Sequence, residues 1–107
     1  MSGKAVIPRE QAKRDIEDAV DFYLGEAGEA VAPRFVEALE RAYRHLSRHP
    51  QTGSPRYAHE LQLPELRSWT VKPFPHLIFY VEARDHVDVW RVLHGERDIP
   101  TWLREPR

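Results

Sequence analysis

The fold is decided by the stretch His76-Leu-Ile-Phe-Tyr-Val-Glu82, Ala83-Arg-Asp85 and His86-Val-Asp-Val-Trp-Arg-Val-Leu-His94. Its apolar residues are β-branched or aromatic and its period is two, the pattern of strands. Ala83 to Asp85 has the length of a hairpin loop, and Leu66 to Lys72 supplies one more run of the same kind upstream. The three runs predict an antiparallel meander. A regular last strand places Val87, Val89, Arg91 and Leu93 on one face and Asp88, Trp90, Val92 and His94 on the other. Both faces then carry apolar groups, so one faces the core and the second calls for a cover.

Upstream of the strands the period changes to that of helices. Ala12, Ile16, Ala19, Val20 and Tyr23 fall on one face, with Lys13, Arg14, Glu17, Asp18 and Asp21 on the other, which predicts an amphipathic helix. Gly25 is placed to end it with a left-handed cap, and Gly25-x-x-Gly28 reads as an inter-helix turn. Val31, Phe35, Ala38, Leu39, Ala42 and Leu46 form the stripe of a second helix, with Glu37/Arg41 and Glu40/Arg44 spaced for i,i+4 pairs outside. Pro33 fits its first turn, where a missing N–H costs little, and Pro50 biases His49 away from helical geometry and marks its end. Gln51 to Pro55 is turn chemistry. Lys4 to Pro8 precedes everything as a short apolar-containing strand. The order β-α-α-β-β-β predicts an α+β domain, a helical hairpin laid across a small antiparallel sheet.

At 107 residues, 41% hydrophobic and 31% charged, the chain has the make-up of a single domain, residues 1–107, with 96–107 as a C-terminal tail that is either a short docked helix or an irregular arm. It contains no cysteine, so disulfides, thiolate metal sites and a cysteine nucleophile are excluded. The longest apolar run, Leu77 to Val81, falls far short of the about 20 residues of a membrane span. With no secretory signal pattern at the N-terminus, the expected location is cytoplasmic. A formal net charge of −1 gives no global argument for nucleic-acid binding. The charge is nonetheless uneven: residues 9–29 carry three basic and seven acidic side chains, and residues 31–57 five basic and two acidic, a complementarity that suits neighbouring antiparallel helices.

These elements carry motifs that resemble the RelE/ParE superfamily of type II toxins, and the ParE branch most closely. The resemblance spans nearly the whole chain. It rests on Ala12-x-x-Asp15-Ile16, on Arg34-Phe35 and Leu39 in a helix ending at His49-Pro50, and on Gly53-x-Pro55. The strand half adds Leu66-Arg67, Ile78-Phe79-Tyr80, and Val89-Trp-Arg-Val-Leu-His-Gly95 followed by Arg97-Asp98. It implies a toxin that inhibits DNA gyrase and is neutralised by a cognate antitoxin, meeting DNA only through that antitoxin. RelE-like relatives instead cut mRNA on the ribosome, and a non-toxic antitoxin-binding relative is a third reading.

Metal-free RNA cleavage needs a base, an acid and cations for the phosphate. Arg67, Arg91, His94 and Arg97, together with His76, are the candidates, but on regular strands they do not obviously converge, and the RelE pattern of extra lysines and a C-terminal tyrosine is missing. The expected target surface is the strand end and tail: Trp90, Arg91, His94, Arg97 and Trp102. Arg91 sits among apolar neighbours, so it is either a target contact or a buried residue that demands a partner. For the antitoxin, the apolar residues left over from a single core stripe are Val31, Phe35, Leu39, Tyr43, Trp69 and Phe79, and core packing is the competing role for Phe35 and Leu39. His45 and His49 are spaced i,i+4, yet Pro50 disturbs that turn and no third ligand follows, so no metal is expected. No phosphate-binding or dinucleotide fingerprint is present, and no cofactor is implied.

Overall fold

The computed structural model describes residues 3–26 and 30–95. The chain runs β1 (Ala5–Pro8), α1 (Glu10–Glu26), α2 (Val31–Arg48), a 3-10 turn (Pro50–Thr52), α3 (Arg56–Leu61), β2 (Leu66–Val71), β3 (Phe74–Glu82) and β4 (His86–His94). The expected α+β class and the hairpin of helices on a sheet are both observed. The strands order β1-β4-β3-β2. The meander β2-β3-β4 is antiparallel, as its period predicts, and β1 adds beside β4 in parallel, pairing Ala5 with His86 through Pro8 with Val89. The sheet is therefore mixed. The parallel edge is the natural product of a crossover: after β1 the chain must pass through both helices before it returns to the sheet.

The helices bury the stripes their spacing predicts. Phe35 and Leu46 are fully buried, Ala38, Leu39 and Ala42 nearly so, and Ala12 and Ala19 face them from α1 with Ile16, Val20 and Tyr23 half-buried at the margin. Ile78, Tyr80, Val87, Val89 and Val92 close this core from the sheet. Pro33 sits in the first turn of α2, and the helix stops at Arg48, where the His49 N–H still reaches the His45 carbonyl at 2.8 Å. Gly25 does not cap α1, which continues through it to Glu26. Gly28 lies outside the described residues. Neither Glu37/Arg41 nor Glu40/Arg44 is among the ion pairs of the described residues, nor does any such pair join α1 to α2.

Two features depart from the regular pattern. Phe79 pairs with Arg91 but Tyr80 with Val89, so Trp90 is an extra residue in β4, a bulge. Past it the faces exchange. Val92 joins Val87 and Val89 in the helix-side core, while Trp90 and Leu93 pack on the opposite side. That opposite face receives its cover from α3, unforeseen at six residues, whose Ala58 and Leu61 bury Leu66, Phe79 and Leu93. Gln62 ends α3 in the left-handed region at φ 56°.

Candidate functional site

β1 covers only the first half of the outer edge of β4. Its ladder ends at Pro8↔Val89, and the Arg9 N–H donates to the Val89 carbonyl at 2.9 Å as the chain turns into α1. Beyond that point the edge is met by a side chain. Asp15 accepts the Val92 backbone N–H at 3.0 Å and takes Arg91 Nε at 2.8 Å and Nη2 at 2.9 Å on its two oxygens. Both side chains are almost wholly buried, 4% and 8% exposed. A charge so placed requires this geometry, because an unpaired one there would be very costly. Arg91, expected as a target contact or a buried residue with a partner, is the latter. Asp15 was legible in principle: it stands at i+3 from Ala12 and i−4 from Ala19, an acid on the edge of an apolar stripe.

On the other side of the bulge a second cluster faces outward. Arg9 grips Asp88 through Nε at 3.0 Å and Nη2 at 2.8 Å, and its guanidinium carbon lies 4.7 Å over the Trp90 ring. Trp90 Nε1 donates to the same carboxylate at 3.2 Å. Partial burial pushes the Asp88 carboxyl up, but the Arg9 hydrogen bonds and charge, Trp90 and His86 outweigh it, and the net shift is downward. Ile7, in register with Asp88, is 50% exposed beside this group. The indole is thus held flat by a cation above and a carboxylate at its edge, next to exposed apolar surface. Arg9 and Asp88 were missed by sequence reasoning, since 79 residues separate them.

The remaining nuclease candidates do not assemble. Arg67, on β2, donates from Nη1 to the Gly53 carbonyl at 2.8 Å, and in the same loop the Tyr80 hydroxyl accepts the Gly53 N–H at 3.0 Å and donates to the Pro50 carbonyl at 2.6 Å. These bonds fasten the Pro50–Pro55 loop to the sheet. His94 lies in register with His76, their rings 5.4 Å apart, and His76 packs 5.0 Å from the Phe35 ring, only 8% exposed. Arg67 and Arg91 stand on strands separated by β3 and are engaged with Gly53 and Asp15. Arg97 and Trp102 lie outside the described residues.

Of the apolar residues expected to meet an antitoxin, Phe35 and Phe79 are 0% exposed and Leu39 6%, so in this chain they build the core. Val31, Tyr43 and Trp69 are half-buried. Trp69 stacks in parallel on His45, ring centres 4.2 Å apart and planes 10° from coplanar. Burial raises the Tyr43 phenol to about 12. Exposed apolar side chains that the spacing did not single out are Phe22 and Leu24, at 58% and 49%, on the last turns of α1. His45 and His49 lie 5.3 Å apart, and among the described residues no three His, Cys, Asp or Glu side chains gather as a metal site would require. No helix of the described residues is long and apolar enough to cross a membrane.

The family model for the ParE toxin of the type II toxin-antitoxin system, parDE, matches residues 6–99, from β1 through β4. The chain belongs to the ParE toxin family. Its fold is that of a chain from the chromosomal ParDE TA system of P. aeruginosa, with a TM-score of 0.73 at 17% identity, covering 87% of this chain and 97% of that one. No curated protein matches the sequence. Within this ParE-family chain the motif residues acquire physical roles. Asp15 is the partner of Arg91, and Gly53 is the contact of Tyr80 and Arg67.

Proposed function

We propose that the chain is a toxin that inhibits DNA gyrase by direct protein contact and is held inactive by a cognate antitoxin in the cytoplasm. The observation that supports this over RNA cleavage is the engagement of the cations. Arg91 is bound to Asp15 and Arg67 to the Gly53 carbonyl, so neither is arranged with His94 around a common phosphate position. The surface offered to gyrase is the outer side of β4: Trp90, held by Arg9 and Asp88, with exposed Ile7 beside it. His94, in register with His76, belongs to the helix side of the sheet, and Arg97 and Trp102 lie outside the described residues. Arg91 takes no part in that contact and supports it by anchoring β4.

The antitoxin is proposed to cover the loop end of the helical hairpin, where Phe22 and Leu24 close α1 and Val31 opens α2, and to run on toward Tyr43. An amphipathic segment that folds on binding suits such a set of exposed and half-buried apolar groups. The test is a gyrase supercoiling and cleavage-complex assay with the refolded full chain, run beside a ribosome-programmed mRNA cleavage assay. Inhibition of gyrase, reversed by added antitoxin and without RNA cuts, is the expected result. Cuts in ribosome-bound mRNA with gyrase unaffected would overturn the proposal.

A further inference from the structure

The outer face of α2 carries chemistry that gyrase inhibition leaves unused. Arg34, Arg41 and Arg48 recur every seven residues, and Arg44 stands one turn before Arg48, so the four share a stripe of the helix. All are exposed, and none is in an ion pair among the described residues. Glu37 and Glu40 lie on the same side, which leaves four cations against two anions. From Arg34 to Arg48 the stripe spans about 21 Å of helix.

At its C-terminal end the stripe meets a cavity and an aromatic pair. The cavity, about 840 Å³, is lined by Lys4, Arg48, His49, Thr52 and Glu82, the last bound to Lys4 at 2.8 Å. Thr52 gives its hydroxyl proton to the His49 carbonyl at 2.8 Å. The 2.7 Å contact between His45 Nε2 and Thr52 Oγ1 therefore has the imidazole as donor. That bond fixes the ring, which lies parallel on Trp69. A preset planar stack thus adjoins, through Thr52, the cavity that Arg48 lines, at the end of a row of arginines that make no ion pair among the described residues.

We propose that this face, α2 from Arg34 to Arg48 with the His45–Trp69 pair, binds single-stranded nucleic acid. The phosphates run along the arginines as far as Arg48, and an unpaired base stacks on the aromatic pair. A linear row of guanidiniums fits a strand with regularly repeated charge. The flat ring pair fits a base, and it would contribute nothing to an acidic peptide. The site is separate from the β4 surface and independent of the gyrase reading.

The test titrates the full chain, freed of antitoxin, into fluorescein-labelled single-stranded oligothymidylate and follows anisotropy at several salt concentrations. Phosphate contacts by the four arginines predict affinity about fiftyfold weaker over a fourfold rise in salt. Arg41→Glu with Arg48→Glu, both at exposed positions, should weaken binding about tenfold or more and flatten the salt slope, with the thermal midpoint unchanged. Trp69→Leu should weaken it about tenfold at unchanged slope. The proposal falls if the oligonucleotide does not bind at low salt, if the double charge reversal binds like the parent, or if polyglutamate displaces the oligonucleotide at equal charge concentration. The arginine variants decide the matter even if Trp69→Leu folds poorly.

Discussion

Asp15 does for the second half of β4 what β1 does for the first: it receives the Val92 N–H at 3.0 Å while clamping Arg91 in a bidentate pair. A helix side chain thus completes a sheet edge that its own strand is too short to reach. Breaking a buried pair of this kind costs about 3–5 kcal/mol, because the surviving charge stays buried. Arg91→Ala or Asp15→Ala should therefore lower the free energy of unfolding by about 3–5 kcal/mol, much of the stability of a small domain. Arg91→Met combined with Asp15→Leu should regain most of it. Denaturant titration checks this, and single variants that unfold at the parental midpoint would refute it. Loss of toxicity on replacing Arg91 then reports a failure to fold.

Gly53 has an ordinary φ of −63°, so it is required by space alone. A Cβ there would overlap the Tyr80 hydroxyl and stand 2.8 Å from its Cζ. Gly53→Ala should cost about 1–3 kcal/mol. Tyr80→Phe removes an acceptor from Gly53 and a donor from Pro50 in a fully buried setting, at about 1–3 kcal/mol. Because both changes act on one contact, the double variant should lose less than the sum. Strict additivity in thermal or denaturant unfolding would show that the loop is held by other means.

Much of this arrangement was legible. Phe35, Ala38, Leu39, Ala42 and Leu46 repeat often enough for a helical stripe to declare itself, and the Ala83–Asp85 loop separates two clean alternations. The losses have distinct causes. At Trp90 one inserted residue reverses the faces downstream, and nothing in the composition of β4 marks the insertion, so a strict period of two puts Val92 on the wrong side. Six residues are too few for α3 to show a period. The pair Arg91–Asp15 spans 76 positions, and the grip of Arg9 on Asp88 depends on a parallel pairing set by the crossover. Periodicity reports which residues an element buries. It does not report which distant residue they meet.

Burial raises the Tyr43 phenol to about 12, and Tyr23 and Tyr80 are also raised, by burial foremost. A group whose folded value exceeds its unfolded value of 10.0 contributes stability that is complete below that value and is lost as pH rises through the folded one. Unfolding should accordingly become easier between about pH 10 and 12. The Tyr43 hydroxyl is also buried without a hydrogen-bond partner among the described residues. Tyr43→Phe should hold or raise stability at neutral pH, by up to about 1 kcal/mol, and reduce the alkaline loss. Stability curves against pH, read beside tyrosinate absorbance, test both parts, and a variant markedly weaker than the parent at neutral pH would contradict them.

The Arg9–Asp88 pair separates stability from function. It is partly exposed, so its removal should cost only about 0–1 kcal/mol. The depressed carboxyl of Asp88 sets the sign of its pH dependence: the contribution is present above the ordinary value of 3.8 and is lost as pH falls below it. What the pair does hold is the guanidinium over Trp90 and the carboxylate at the indole edge. Asp88→Asn keeps the acceptor for Trp90 Nε1 but releases Arg9 from its bidentate grip, so the ring loses its cation while the fold remains. If gyrase reads this surface, Asp88→Asn should weaken inhibition by about tenfold, an amount typical of a perturbed interface anchor, and Trp90→Ala by more. Arg9→Ala should match Asp88→Asn, since both end with an uncovered indole. Supercoiling assays on variants with near-parental unfolding midpoints provide the comparison, and undiminished inhibition by both Asp88→Asn and Trp90→Ala would move the contact away from β4.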